Sequence, residues 1–164
     1  MSELLDSGAR REFASGAVRD IAEGKGRCDL LPLGVIGFRY GFRELVLIED
    51  YLRGGDTLCL FNAVWVFTDK NYGCDIATML LDVSKQYEAG ALKYEDRNWE
   101  KGIPSHCYID SAVRHYLKHL RGDKDEPHGR AFVWNLLCAI WNHENLPLLV
   151  DLPFAEVAKN ENRG

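Results

Sequence analysis

Residues 105–122, SHCYIDSAVRHYLKHLRG, decide the architecture of this chain. Tyr108, Ile109, Ala112, Val113, Tyr116, Leu117 and Leu120 fall on one stripe of a helix with 3.6 residues per turn, and Gly122 follows as a stop signal. The segment upstream repeats the pattern. From Asp75, the residues Ile76, Met79, Leu80, Val83 and Tyr87 stand at helical intervals up to Gly90. Downstream, a helix is predicted from about Gly129 to Asn142, burying Phe132, Val133, Leu136, Leu137 and Ile140 before Pro147 and Pro153 break the tail. Further out, Phe42, Leu45, Val46, Glu49 and Leu52 predict a helix that Gly54-Gly55 ends. The stretch Leu58–Phe67 is nearly all apolar, with Asp56 or Thr57 as N-cap; periodicity does not separate helix from strand there, and length and helical neighbours assign it to helix. The expected fold class is all-α: a compact bundle of about five helices in a single domain over 1–164, with 1–27 as an extended arm or loop and 144–164 as a Pro-containing tail.

Composition bounds the function. At 164 residues, 46% hydrophobic and 27% charged, the chain can bury a core without a metal or disulfide staple. No stretch approaches the ~20 apolar residues that cross a bilayer. The first 25 residues carry Arg10, Arg11, Glu12, Arg19 and Asp20 with no apolar signal core, so a cytoplasmic location is expected. A net charge of −5 argues against a long nucleic acid as partner, yet a local cluster of Lys and Arg can still hold a small anion. Cys28, Cys59, Cys74, Cys107 and Cys138 are odd in number and contain no CxxC, which fits reduced core thiols rather than a disulfide framework or a zinc site. Phe61, Trp65, Phe67, Trp134 and Trp141 exceed what a small monomer core must contain, and a homo-oligomer is expected from them.

Between the two clearest helices lies a polar loop, Lys93-Tyr94-Glu95-Asp96-Arg97-Asn98-Trp99-Glu100-Lys101-Gly102. Two readings stand for it. Either Trp99 pins the loop to the core, or Trp99 or Tyr94 stacks on a planar ring while Lys93, Arg97 and Lys101 meet negative oxygens. The next helix carries Arg114, His115, Lys118 and His119. The HxxxH pair either makes solvent and hydrogen-bond contacts or binds a metal, with His106, Asp123 or His128 as candidates for a third ligand. Asn135, seven residues after His128 in an apolar run, is a core hydrogen-bond node or a pocket donor and acceptor.

Taken in order, Ser15-Gly16-Ala17-Val18-Arg19-Asp20, Gly24-Lys25-Gly26-Arg27, Asp29-Leu30-Leu31-Pro32, Lys93-Tyr94, Arg97-Asn98-Trp99-Glu100-Lys101-Gly102, Arg114-His115, Gly122-Asp123, His128 and Asn135 resemble the phage-borne dATP/dGTP diphosphohydrolase N-terminal-domain family. The resemblance covers most of 15–140, with about 35–75 specific to this chain. It implies a helical fold, a purine-nucleotide-type ligand and a viral gene acting in the bacterial cytoplasm. On it the ligand-binding candidates are Lys25, Arg27, Lys93, Tyr94, Arg97, Asn98, Trp99, Lys101, Arg114, His115, His128 and Asn135, with no catalytic residue and no cofactor.

Helical pyrophosphohydrolases use ExxE and ExxD on neighbouring helices to hold Mg²⁺. No such pair is present on the two helical stripes of 75–90 and 105–122: Asp82 and Glu88 are six residues apart, about 120° off a shared face, and the next helix offers only Asp110. A cationic pocket of this kind suits a sponge that sequesters a nucleotide second messenger of bacterial immunity, an anti-defence role. The alternative is a Mg²⁺- or Mn²⁺-dependent (d)NTP diphosphohydrolase with Glu88, Asp110, Asp123 and Asp125 as metal ligands. A helical partner-binding protein with no small ligand is the third reading.

Overall fold

The computed structural model describes residues 8–154; the start of the expected arm and the end of the expected tail lie outside the described residues. Among the described residues six α-helices follow a short hairpin: β1 (Arg10–Glu12), β2 (Val18–Asp20), α1 (Leu33–Tyr40), α2 (Arg43–Gly54), α3 (Thr57–Tyr72), α4 (Ile76–Lys93), α5 (Ser105–Arg121) and α6 (His128–Asn145). No helix among the described residues is long and apolar enough to cross a membrane.

The all-α expectation holds, and the physical reason sits in α6. Ala131, Phe132, Val133, Leu136, Cys138, Ala139 and Ile140 are all buried, so this helix is apolar around most of its circumference. A helix of that kind needs neighbours on several sides, and α6 packs against α3, α4 and α5. On α5 the apolar stripe turns inward: Tyr108, Ile109, Ala112, Val113 and Tyr116 are buried, and the helix ends at Gly122 as its sequence requires. Of the two proposed N-caps of α3, Asp56 is the one used: its Oδ1 accepts from the Leu58 N–H at 2.9 Å. Asp75 caps α4 in the same way, accepting from the Thr78 N–H at 2.9 Å.

Two elements depart from the sequence expectation. The arm contains a two-stranded antiparallel ribbon, with Arg10 opposite Asp20, Arg11 opposite Arg19 and Glu12 opposite Val18. Strands of three residues rich in charge carry no legible alternation, and an isolated ribbon this short is marginal in water. Tertiary bonds hold it: the Asn98 side chain accepts from the Val18 N–H at 3.0 Å and donates to the Val18 carbonyl at 3.0 Å. The second departure is α1, a helix the apolar pattern did not announce, with Gly34 and Gly37 in its interior. Gly37 is needed for contact, because a Cβ there would stand 2.6 Å from the Phe42 carbonyl oxygen and 2.9 Å from Val46.

Of the five aromatics behind the oligomer expectation, Phe67 is buried and Trp134 and Trp141 are partly covered. Phe61 and Trp65 lie exposed on α3 beside Leu58, three and seven residues from it along one helical face.

Glu44 is fully buried, and its Oε2 accepts from Tyr116 Oη at 2.8 Å and Lys70 Nζ at 3.0 Å, joining α2 to α5 and α3. Replacing it strands the Tyr116 hydroxyl, whereas the half-exposed Lys70 can turn to water. Glu44→Ala is expected to cost about 1–3 kcal/mol in urea unfolding, and Glu44→Gln much less. An alanine variant as stable as the parent would remove this bond from the account.

Candidate functional site

A cleft of about 1420 Å³ opens between the ribbon, the 22–27 loop, the C-terminal half of α4, the 94–104 loop and the exposed side of α5. Its wall carries Arg11, Arg19, Lys25, Arg27, Lys93, Arg97, Arg114 and Lys118, interleaved with acids and with the rings of Tyr87, Tyr94, Trp99, Tyr108 and Trp134. Mixed charge lowers the cost of gathering so many cations, since Arg27, Lys93, Arg97 and Arg114 are each paired with an acid.

The most informative member is Arg19, on β2, which sequence reasoning left out of the candidate set. The ribbon carries its guanidinium into the bundle, over the rings of Trp134 at 5.5 Å and Tyr108 at 5.6 Å. Its Nη2 donates to Asn135 Oδ1 at 3.2 Å, while Asn135 Nδ2 donates to the Ala131 carbonyl at 2.9 Å. Asn135 is therefore both the core node and the cleft acceptor that its sequence context left open. Arg19 Nη1 is buried and has no hydrogen-bond partner, and the same holds for Arg114 Nε and Trp134 Nε1. Three buried N–H donors, all on residues of the cleft wall, are unmatched. The signal in the sequence was its place in Ser15-Gly16-Ala17-Val18-Arg19-Asp20, a stretch that carries the family resemblance but reads as loop.

The structure brings most of the predicted residues to one cleft but assigns several of them to holding it together. Lys93 Nζ bonds Asp20 Oδ2 at 2.8 Å, and Tyr94 Oη donates to Asp20 Oδ1 at 3.1 Å; burial and that carboxylate push the Tyr94 hydroxyl up to about 12. Asn98 spends its amide on Val18. Trp99 packs edge-on against Tyr87 at 5.6 Å and Trp141 at 5.1 Å, so it pins its loop. Gly102 lets the loop pass the end of α6: its φ is +78°, and a Cβ would collide with Leu146. Arg97 pairs with Glu100, and Arg27 with Asp29 at 2.7 Å, which raises the Arg27 pKa further. Arg114 Nη2 donates to the Gly26 carbonyl at 2.8 Å and to Asp110. Lys25 and Lys118 line the cleft with no ion partner among the described residues. Lys101 and His128 are not on its wall: Lys101 pairs with Glu95, and His128 is buried behind His115.

The acids of the alternative metal set do not converge. Glu88 and Asp110 line the cleft, but Asp110 accepts from the Cys28 N–H at 2.7 Å and from Arg114. Asp123 is forked by Arg121, and Asp125 bonds His128 Nε2 at 2.7 Å. Among the described residues no three carboxylates come together as a cation cage, so the residues present do not fit the Mg²⁺ arrangement of helical pyrophosphohydrolases. The histidine pair is also different from HxxxH. His119 Nε2 meets Asn71 Oδ1 at 3.0 Å, and His106 is bonded to Asp151, while His115 Nδ1 meets His128 Nδ1 at 3.0 Å.

Residues 71–151 match the family model described as "dATP/dGTP diphosphohydrolase, N-terminal", which is the family the sequence resembles. The match takes in α4, the 94–104 loop, α5 and α6; the ribbon and the 22–27 loop, with Arg19, Lys25 and Arg27, stand outside it. No curated protein and no solved structure matches the chain.

Burial, reinforced by His128 and Arg19, lowers the His115 pKa to about 3 from an ordinary 6.5. In that window the unfolded chain binds the proton and the folded one does not, so acid favours unfolding. Stability contributed by neutral His115 is expected to be complete above about pH 6.5 and to fall as the pH drops toward 3. His115→Gln should flatten that slope in chemical unfolding measured between these limits. An unchanged slope would place the neutral imidazole elsewhere.

Proposed function

We propose that this cleft captures a nucleotide-derived, phosphate-bearing ligand and holds it intact. The observation that carries the reading is the set of buried donors without acceptors, Arg19 Nη1, Arg114 Nε and Trp134 Nε1. A buried polar group without a partner costs about 1–3 kcal/mol, more when charged, and a ligand oxygen removes that cost for each donor it reaches. Guanidinium groups match phosphate oxygens in forked geometry, which makes Arg the suited residue. The aromatic wall offers faces to a base. At about 1420 Å³ the cleft exceeds the ~300–1,000 Å³ of ordinary ligand pockets, which favours a ligand with two nucleoside-sized halves, such as a cyclic dinucleotide or an ADP-ribose-type signal. In a phage-infected bacterium, capture of that kind is sequestration of an immune second messenger. The exposed α3 face with Leu58, Phe61 and Trp65 is the surface for a homo-oligomer.

The family match favours a second reading, cleavage of purine dNTPs to monophosphate and pyrophosphate, although Asp110 is taken up by Cys28 and Arg114 and forms no cation cage with Glu88. One experiment separates the two. The protein is incubated with Mg²⁺, Mn²⁺ and separate samples of dATP, dGTP, a cyclic dinucleotide and ADP-ribose, then heat-denatured, and the released nucleotide is identified by mass spectrometry. Capture predicts a bound nucleotide recovered intact, with Arg19→Ala and Arg114→Ala each weakening binding at least about tenfold in calorimetry. Arg19→Lys should fail to restore it, because an ammonium lacks the fork. Pyrophosphate release abolished by a chelator would establish the second reading instead.

A further inference from the structure

His115 on α5 and His128 at the start of α6 turn their Nδ1 atoms toward each other at 3.0 Å, and Glu126 Oε1 stands 3.8 Å from each. A point equidistant from three atoms so spaced lies about 2.1 Å from each, the length of a Zn–N or Zn–O bond. We propose that His115, His128 and Glu126 form a three-ligand site for a first-row divalent transition ion, Zn²⁺ by its donor set, at the inner wall of the cleft.

Several features fit that assignment. Two imidazoles and one carboxylate are the ligand set of open zinc centres, in which a fourth position is left for water or a substrate oxygen. His115 and Glu126 are on the cleft wall, whereas His128 is buried behind them, so the free position faces the cavity side. The ring of His128 is already oriented from outside: Asp125 Oδ1 accepts from its Nε2–H at 2.7 Å, leaving a lone pair on Nδ1. A carboxylate behind the imidazole is the usual support of a metal-bound histidine. The Nδ1 proton that now bridges the two rings then belongs to His115. Binding of an ion moves it to Nε2 of the same ring, so the step needs a tautomer change and no oxidant or net deprotonation. Asp123, which also lies within reach of Asp125 and His128, is occupied by the Arg121 fork and is not a ligand in this arrangement.

The site stands independently of the nucleotide reading, because it is tested with metal alone. The full chain, stripped with a chelator and dialysed, is titrated with ZnCl₂ in a calorimeter, and the bound metal is counted by elemental mass spectrometry. One Zn²⁺ per chain is expected. His115→Asn with His128→Asn should abolish it, and Asp125→Asn should weaken it about 10- to 100-fold, with circular dichroism confirming that each variant is folded. Since a histidine variant can fail to fold, ¹⁵N NMR of the unaltered protein provides a second readout: the Nδ1 resonances of both histidines should shift on Zn²⁺ addition, with His115 becoming the Nε2–H tautomer. Co²⁺ substitution should give visible bands without a thiolate charge-transfer band, which excludes the cysteines. The proposal is overturned by the absence of stoichiometric Zn²⁺, by binding that survives the double variant, or by binding that disappears with Asp123→Asn while the histidine resonances stay unmoved.

Discussion

Everything in the cleft depends on a guanidinium held inside the protein. Arg19 lies over Trp134 and Tyr108 and spends one nitrogen on Asn135. A cation in that position has lost much of its water, and the two ring faces and one amide oxygen return only part of it. The deficit appears as donors with no acceptor on Arg19, on Arg114 and on Trp134 itself. A phosphate completes the set in a way that a neutral ligand does not.

That placement explains why the surrounding loop is built from residues that look like ligand contacts and behave as struts. The ribbon that delivers Arg19 is too short to stand alone, so Asn98 clamps Val18, Asp20 gathers Lys93 and Tyr94, and Trp99 locks the loop against Tyr87 and Trp141. Arg114 ties the 22–27 loop to α5 through the Gly26 carbonyl. Many residues predicted to touch a ligand thus set the shape of the cleft, while the unmatched donors lie on Arg19 and Trp134, which were not predicted, and on Arg114, which was.

The helices were legible because their apolar residues repeat at the helical period, as in 105–122 and 75–90, and because Asp56 and Asp75 mark their starts. α1 was hidden by Gly34 and Gly37, which serve close packing rather than a break. The ribbon was hidden because three-residue charged strands have no pattern; their pairing is decided by Asn98, eighty residues away. For the same reason Arg19 was missed while Lys93, Arg97 and Arg114 were noticed: a motif shows which residues are chemically capable, but only the fold shows which donors are left unmatched. The His115–His128 contact was legible only in part: His128 stood among the candidate third ligands, but HxxxH spacing paired His115 with His119, and thirteen residues and a helix turnaround separate the two rings that meet.

Side-chain ¹⁵N NMR of the arginines during titration with inorganic pyrophosphate tests the central claim most directly. The account predicts that the Arg19 guanidinium signals move first and that rotation about its C–N bonds slows as phosphate oxygens engage Nη1. Saturable binding that leaves the Arg19 signals unchanged, while those of exposed arginines such as Arg97 respond, would contradict it.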